Sequence, residues 1–174
     1  MDSGNAWERF KVTGQIEPGV SGDWSISTIS CSEEQALLGS IETAPKGCYR
    51  PIQPGEYTRL MRGETVVMSD TKAEIEDVMP FFEKAHGKVL IAGLGLGLVP
   101  QALLDIGKVD HIVIVEKSRD VYELTGKRFR SRSNVDFVFG DIFKDWQKIF
   151  EECPEAGDDF GYFDFGWFDI WAIS

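Results

Sequence analysis

Three glycines and two acidic residues are the strongest chemical signal in the sequence. Gly93, Gly95 and Gly97 alternate with leucines directly after an apolar run, and Glu116 and Asp141 follow the next two apolar runs. Glycine lets the backbone turn tightly and approach a ligand that a Cβ would keep away. Glu116 lies 19 positions beyond Gly97, close to the offset of ~20 residues at which an acidic side chain binds ribose hydroxyls. The spacing predicts a nucleotide site, since a carboxylate offers two acceptor oxygens to a diol.

The residues beside these five complete the predicted site. Asp141 could accept a hydrogen bond from an exocyclic amine of the base, and Ile142 could pack on the plane of the base. The alternative role of Asp141 is an N-cap for the helix that follows, because Asp is a preferred residue there. Leu94 and Lys117 adjoin the glycines and Glu116, and we include both among the residues expected to bind the ligand.

The glycine spacing bears on which nucleotide is bound. Dinucleotide sites favour Gly-x-Gly-x-x-Gly or Ala, in which the third small residue permits close packing of the helix and contact with the pyrophosphate. Counted from Gly93, that third position is Leu98. A nicotinamide-dependent oxidoreductase is therefore disfavoured and is kept as a remote alternative.

Four strand-like runs must position these residues, and helix-like stretches separate them. The apolar runs span residues 88–92, 111–115, 135–139 and 162–168, with helical periodicity over residues 98–106, 119–129 and 143–150 between them. Such an alternation predicts an α/β fold with a parallel sheet, whose ligands bind beyond the carboxyl ends of the strands. A further helix is expected to follow a cap at Ser69 or Asp70, and Pro80 is expected to kink it or end it early.

The first part of the chain has a different pattern. Short β-branched or aromatic runs, among them residues 24–29 and 65–68, are separated by glycines and prolines. That pattern is typical of hairpins, with a tight connection at residues 62–64 and one short capped helix from Ser32 through about Leu38. We therefore divide the chain into a β-hairpin-rich lobe, residues 1–68, and an α/β domain, residues 69–174.

Charge and composition weigh against nucleic acid, a metal ion and a membrane as partners. The formal net charge is −11, and residues 149–174 carry 7 acidic and no basic side chains. Nucleic acid is thus an unfavoured partner, and the basic residues of 127–132 are interpreted as the solvated end of a helix. Cys31, Cys48 and Cys153 are spaced unlike a disulfide framework or a zinc site, so free thiols and no metal are expected. No apolar run is long enough for a membrane span and no secretion signal is seen, which favours a cytoplasmic protein.

Four segments together resemble the class I S-adenosylmethionine-dependent methyltransferase superfamily, in particular its spermidine-synthase-like branch. They span residues 89–97, 114–116, 138–141 and 163–169, and residues 57–60 and 67–70 resemble the hairpin lobe and following helix of uncharacterised phage and bacterial relatives. The resemblance implies a Rossmann-like sheet with S-adenosylmethionine as the cofactor.

The resemblance also implies a role for each matching residue. Gly93, Gly95 and Gly97 would border the methionine part of the cofactor, Glu116 would bind its ribose, and Asp141 would bind the adenine amino group. Asp169 would be the catalytic carboxylate that orients and deprotonates an attacking amine, although it could equally be a turn residue at a strand end. The expected acceptor is a small molecule, cationic or aromatic, with Trp167 and Trp171 available for stacking.

Two features depart from the family. Leu96 occupies the position of an acidic residue in spermidine synthases, which favours methyl transfer over aminopropyl transfer. The family has a seven-stranded sheet, whereas at most four core strands fit before Ser174. We therefore expect a truncated gene, a fragment, or a sheet edge covered by the lobe or by a second subunit in a homodimer. A non-catalytic protein that keeps the nucleotide fold and acts through such an interface is the main alternative function.

Overall fold

The described part of the chain forms two four-stranded sheets, one antiparallel and one parallel. The structure is a computed structural model that describes residues 6–43, 52–151 and 163–168, without the side chains of residues 39–43 and 148–150. The antiparallel sheet has the order β1-β2-β3-β4, with β1 at Gly19–Ser21, β2 at Trp24–Cys31, β3 at Gly55–Arg62 and β4 at Thr65–Ser69. The described part of the lobe is thus the hairpin-rich region that its glycine spacing predicts.

Both hairpins of this sheet turn through two residues, the first of which is a glycine. Ser21 pairs with Trp24, and Arg62 pairs with Thr65. Gly22 and Gly63 have φ of 53° and 56°, values that a residue with a Cβ rarely adopts. The predicted tight connection after β3 is confirmed.

Helix α1, Glu33–Thr43, begins with a reciprocal cap. The backbone N–H of Ser32 donates to Gln35 Oε1 at 2.8 Å, and the N–H of Gln35 donates to Ser32 Oγ at 3.2 Å. This is the predicted capped start. The helix extends beyond its predicted end at about Leu38.

Helix α2, Lys72–Lys84, corrects the predicted cap and the predicted early end at Pro80, while a kink at Pro80 stays a prediction. Its N-cap is Thr71 rather than Ser69 or Asp70, and it continues through Pro80 for another turn. Buried Phe82 lies in that last turn. We attribute the continuation to the packing of Phe82, which offsets the hydrogen bond that proline cannot donate.

Asp70 is a fully buried hub between the N-terminal segment and the antiparallel sheet. Its Oδ2 accepts hydrogen bonds from the N–H groups of Val12 and Thr13 at 2.9 and 2.7 Å and from Thr13 Oγ1 at 2.7 Å, and its Oδ1 accepts one from the N–H of Thr58 at 2.7 Å. Because these partners lie far away in sequence, a local capping rule could not identify them.

The parallel sheet has the order β7-β6-β5-β8. Its strands are β5 at Gly87–Ala92, β6 at Val109–Glu116, β7 at Val135–Phe139 and β8 at Phe165–Phe168; the intervening helices are α3 at Leu98–Ile106, α4 at Arg119–Thr125 and α5 at Trp146–Glu151. The predicted α/β fold with four parallel strands is confirmed. Strand order reverses between β5 and β8, and in open parallel sheets such a reversal marks a crevice beyond the strand ends.

Two helix bounds after β6 differ from their predictions. The helix predicted over residues 119–129 becomes a 3₁₀ turn, Gly126–Phe129, after Thr125. The helix predicted from Phe143 begins at Trp146, because residues after Asp141 form a turn in which Lys144 and Asp145 donate their N–H groups to the Asp141 carbonyl.

One hydrophobic core joins the two sheets. It includes Ile26 and Leu60 from the antiparallel sheet and Val89, Ile91 and Ile112 from the parallel sheet. A smaller cluster, composed of Leu90, Val113, Val115 and Val138, covers the other face of the parallel sheet. This packing fixes the carboxyl ends of β5, β6 and β7 beside the lobe. Within the described ranges, no helix is both long and apolar enough to cross a membrane.

Candidate functional site

A cleft of about 290 Å³ lies between the antiparallel sheet and the carboxyl ends of β5, β6 and β7. Its sheet wall is formed by residues that end these strands or follow them: Ala92, Gly93, Gly95, Val115, Glu116, Lys117, Ser118, Val121, Gly140, Asp141, Ile142 and Phe143. Its lobe wall is formed by Trp24, Leu60, Arg62, Val67 and Met68. Most of this lining is apolar, as in typical small-molecule sites.

The structure brings most of the predicted ligand-binding residues into this cleft. The members that line it are Gly93, Gly95, Glu116, Lys117, Asp141 and Ile142. Leu94 and Gly97 do not line it: the Leu94 side chain is buried in the core, and Gly97 is the N-cap of α3. The proposed catalytic Asp169, like Trp171, Cys48 and Cys153, lies outside the described residues.

The glycine turn has a backbone that only glycine adopts readily. Gly93, Gly95 and Gly97 have φ of 97°, 54° and 68°. The N–H of Gly93 donates to the Val115 carbonyl at 2.8 Å, and the N–H of Gly97 donates to the Leu94 carbonyl at 2.7 Å. These hydrogen bonds hold the turn against the end of β6, where Glu116 begins the next loop.

The outer side of the glycine turn is clamped by the segment after β6. The Thr125 hydroxyl proton is shared between the Gly95 carbonyl at 3.0 Å and the Val121 carbonyl at 2.9 Å, and Arg128 Nη2 donates to the carbonyls of Leu96 and Gly97 at 2.8 Å each. Burial lowers the pKa of Arg128 to about 10, so this side chain is still a cation at neutral pH. Its Nε and Nη1 are buried without a hydrogen-bond partner among the described residues. These contacts fix the carbonyls of the turn.

Glu116 is a buried carboxylate fixed at both oxygens. It is 7% exposed. Its Oε2 accepts the N–H of Leu94 at 2.8 Å, and its Oε1 accepts the N–H of Ser118 at 2.7 Å. Burial raises the pKa of Glu116, although these two N–H groups oppose that shift by stabilising the charged form. Each oxygen retains acceptor capacity after one hydrogen bond, so the oriented carboxylate can accept from a diol.

Asp141 lines the cleft and also closes the turn after β7. Its Oδ1 accepts the N–H of Phe143 at 3.1 Å, and its N–H donates to Asp145 Oδ2 at 2.9 Å. Lys144 Nζ lies 3.8 Å from Asp141 Oδ2. The capping alternative is wrong, because α5 begins at Trp146 and Asp141 instead closes the turn before it; the position of Asp141 in the cleft leaves the base-binding role open.

The lobe touches the glycine turn through Met68. The N–H of Leu96 donates to Met68 Sδ at 3.2 Å, and both residues are buried. On the same wall, the guanidinium carbon of Arg62 lies 5.8 Å from the centroid of the Trp24 ring. These two residues are direct partners in the register of β2 and β3.

Sequence reasoning missed the lobe wall entirely. The sequence places residues 57–60 and 67–68 in the lobe but predicts no contact between the lobe and the ligand. The alternation of side chains along β3 is the available signal. Leu60 and Arg62 are two positions apart, so if Leu60 faces the parallel sheet, Arg62 faces it as well. The pattern does not show that this face of β3 lies against the parallel sheet.

Neither a scan of the sequence against protein-family models nor a search of curated proteins finds a match. The functional inference therefore depends on the chemistry of the cleft. Its ionisable residues are Arg62, Glu116, Lys117 and Asp141. Combined with a glycine turn and an apolar lining, they suit a small ligand that has a planar ring, hydroxyl donors and a charged group.

Proposed function

We propose that the cleft binds S-adenosylmethionine and that the protein is a methyltransferase-like enzyme acting on a small acceptor. The observation that carries the proposal is the convergence of three strand ends on one cleft: Gly93 and Gly95 after β5, Glu116 at the end of β6, and Asp141 after β7. Adenosine binding needs acceptors for the ribose and an apolar surface for the base, and these residues with Ile142 supply both.

The strand order supports a Rossmann-like assignment of the parallel sheet. Numbered from β5 in chain order, the sheet reads 3-2-1-4, which is the first part of the doubly wound order. In that topology the ligand crosses the point where strand order reverses, beyond the carboxyl ends. The cleft lies beyond the end of β5, one of the two strands that flank this reversal.

The residues present fit an adenosyl group. Glu116 would accept hydrogen bonds from both ribose hydroxyls because its two oxygens are already oriented by Leu94 and Ser118. Ile142 would pack on the base, and the remaining acceptor capacity of Asp141 would bind the exocyclic amine. The volume of about 290 Å³ lies just below the ~300–1,000 Å³ typical of small-molecule sites.

When bound, the cofactor would supply a methyl group on a positively charged sulfur. The chain's own contribution would be to orient the ribose, exclude water with the apolar lining, and hold the acceptor. Asp169 remains the predicted group that orients a cationic acceptor and accepts its proton. Methyl transfer is favoured over aminopropyl transfer because the Leu96 side chain is fully buried in the core, so that position contributes no side chain to the cleft.

A nicotinamide cofactor is a poorer fit to the same cleft. Leu98 is the first residue of α3 and is 1% exposed. It therefore fills the space at the helix N-terminus that a dinucleotide site leaves for a small residue. Reduced nicotinamide cofactor is accordingly the negative control for binding.

Calorimetric titration with S-adenosylmethionine and S-adenosylhomocysteine tests the proposal. The wild-type protein should bind both, and Glu116→Gln should bind each at least about 10-fold more weakly, because a charge-assisted hydrogen bond contributes about 1.5–3 kcal/mol. Asp110→Asn is the matched control, since Asp110 is an exposed acid on the same strand that does not line the cleft.

Three results would contradict the proposal in different ways. Absence of binding by the wild-type protein would remove the cofactor. Equal loss of affinity in both variants would point to a general charge effect. Binding without methyl transfer to any small amine or phenol tested would favour a non-catalytic protein that retains the nucleotide fold.

A further inference from the structure

The lobe wall of the cleft carries one charged residue in an apolar surface. Trp24, Leu60, Val67 and Met68 are its other members. The chain as a whole has a net charge of −11, so a cation facing a cleft runs against the overall composition.

The Arg62 side chain is exposed, and its guanidinium lies near an aromatic ring rather than beside an acid. Its guanidinium lies 5.8 Å from the centroid of Trp24, the residue directly opposite on β2. Within the described part of the chain, it has no ion pair or hydrogen bond to another side chain. An aromatic face holds the cation through its π-electrons and satisfies none of its in-plane donors, so all five N–H groups remain for a ligand.

The sheet wall offers no planar donor for an anion. Glu116 and Asp141 are acceptors for neutral donors, and Lys117, which is exposed like Arg62, carries a point charge without a planar fork. A guanidinium with an open fork binds planar anions through two parallel hydrogen bonds, and this geometry distinguishes carboxylates and phosphates from neutral groups. The two walls are thus complementary: one accepts hydroxyl and amine donors, and the other donates to an anion.

We propose that Arg62, supported by Trp24, is an anion subsite that binds a carboxylate or phosphate group of a ligand in the cleft. The assignment rests on the proposed function insofar as this cleft is taken as the ligand site. The anion has two possible sources: the amino-acid carboxylate of the cofactor, or an acidic group on the acceptor. In the second case the acceptor carries an anionic group in addition to any amine or aromatic ring.

The direct test follows the Arg62 side-chain Nε–Hε signal by NMR during titration with inorganic phosphate, with the signal assigned by its loss in Arg62→Gln. Arg59 is the internal control, because it lies on the same strand, does not line the cleft, and donates its Nε–H to Ser27 Oγ at 2.9 Å. A saturable shift of Arg62 without one of Arg59 is expected. No saturable shift at Arg62 with either phosphate or S-adenosylhomocysteine, or equal shifts of both arginines, would overturn the subsite.

A pair of adenosine compounds identifies the source of the anion. S-Adenosylhomocysteine has the amino-acid carboxylate, and 5′-methylthioadenosine lacks it. If the carboxylate is the ligand group, the first compound shifts Arg62 and loses about 10-fold in affinity in Arg62→Gln, whereas the second is unaffected. If both bind without shifting Arg62 and phosphate still shifts it in their presence, the anion belongs to the acceptor.

The same titrations separate the subsite from the cofactor assignment. If phosphate shifts Arg62 while neither adenosine compound binds, the proposed function fails and the anion subsite stands. If both compounds bind but neither phosphate nor the carboxylate shifts Arg62, the cofactor assignment stands and the subsite fails. Arg62→Lys keeps the charge without the planar fork, so it should recover only part of the lost affinity.

Discussion

Two glycines at opposite ends of α3 provide a matched test of the clamp behind the glycine turn. Gly97 is the N-cap with φ 68° and ψ 22°, and Gly107 is the C-cap with φ 71° and ψ 25°. An alanine in this left-handed conformation costs about 1–2 kcal/mol, offset by about 0.4–1 kcal/mol from the reduced freedom of the unfolded chain. Gly107→Ala has open space around the added Cβ, so it should lower the free energy of unfolding by about 1 kcal/mol.

Gly97→Ala adds a steric cost to the same backbone cost. Its Cβ would lie 2.6 Å from Arg128 Nη2 and 2.9 Å from Cε2 of the buried Phe129 ring. Separations below 3.0 Å force one partner to move. Moving a buried ring costs about 1–3 kcal/mol, and weakening the hydrogen bonds of Arg128 to the Leu96 and Gly97 carbonyls adds about 1.5 kcal/mol or more. The total loss should be about 3–5 kcal/mol.

Thermal unfolding followed by circular dichroism measures the difference. For a chain of this size 1 kcal/mol shifts the Tm by about 2–4 °C, so Gly107→Ala should lower it by about 2–4 °C and Gly97→Ala by roughly 10 °C. Combining Gly97→Ala with Arg128→Met should cost less than the sum of the two single changes, because one of the two clash partners is gone and the hydrogen bonds of Arg128 are lost only once. Equal Tm losses for the two alanine variants, or strict additivity with Arg128→Met, would refute a clamped turn.

Three further predictions concern buried polar groups. Burial raises the pKa of Glu116 above its ordinary value of 4.5. The free energy of unfolding of the wild type relative to Glu116→Gln should therefore be greatest below pH 4.5 and should fall as the pH rises through the raised pKa. Urea unfolding at a series of pH values measures this difference. Asp70→Asn should lower the free energy of unfolding by about 3 kcal/mol or more. The single oxygen of an amide cannot replace a carboxylate that accepts four hydrogen bonds. Unchanged urea unfolding would contradict the role of Asp70 as a buried hub. Met68→Leu keeps the side-chain volume but removes the acceptor of the Leu96 N–H, so that amide should exchange with solvent faster while the Tm changes little.

Much of the parallel sheet could be predicted because local pattern and chain chirality act together there. Strands β5 to β8 are short apolar runs, and right-handed crossovers leave few arrangements for them. The predictions that are wrong lie where tertiary contacts override a local signal. Pro80 stays inside α2 next to buried Phe82, and Asp70 binds backbone groups 12 to 58 residues away instead of capping the next turn.

The candidate site also has a wall that could be predicted from the sequence and a wall that could not. Ligands bind beyond the carboxyl ends of the strands in open parallel sheets, so the sequence alone predicts that Gly93, Glu116 and Asp141 meet. No equivalent rule states which face of an antiparallel lobe will cover that crevice. Alternation along β3 specifies that Leu60 and Arg62 share a face, but the choice of face follows from burial of the whole lobe against the parallel sheet. The proposed Arg62 subsite therefore depends on how the lobe packs on the parallel sheet, and it is the part of this site that sequence patterns alone cannot supply.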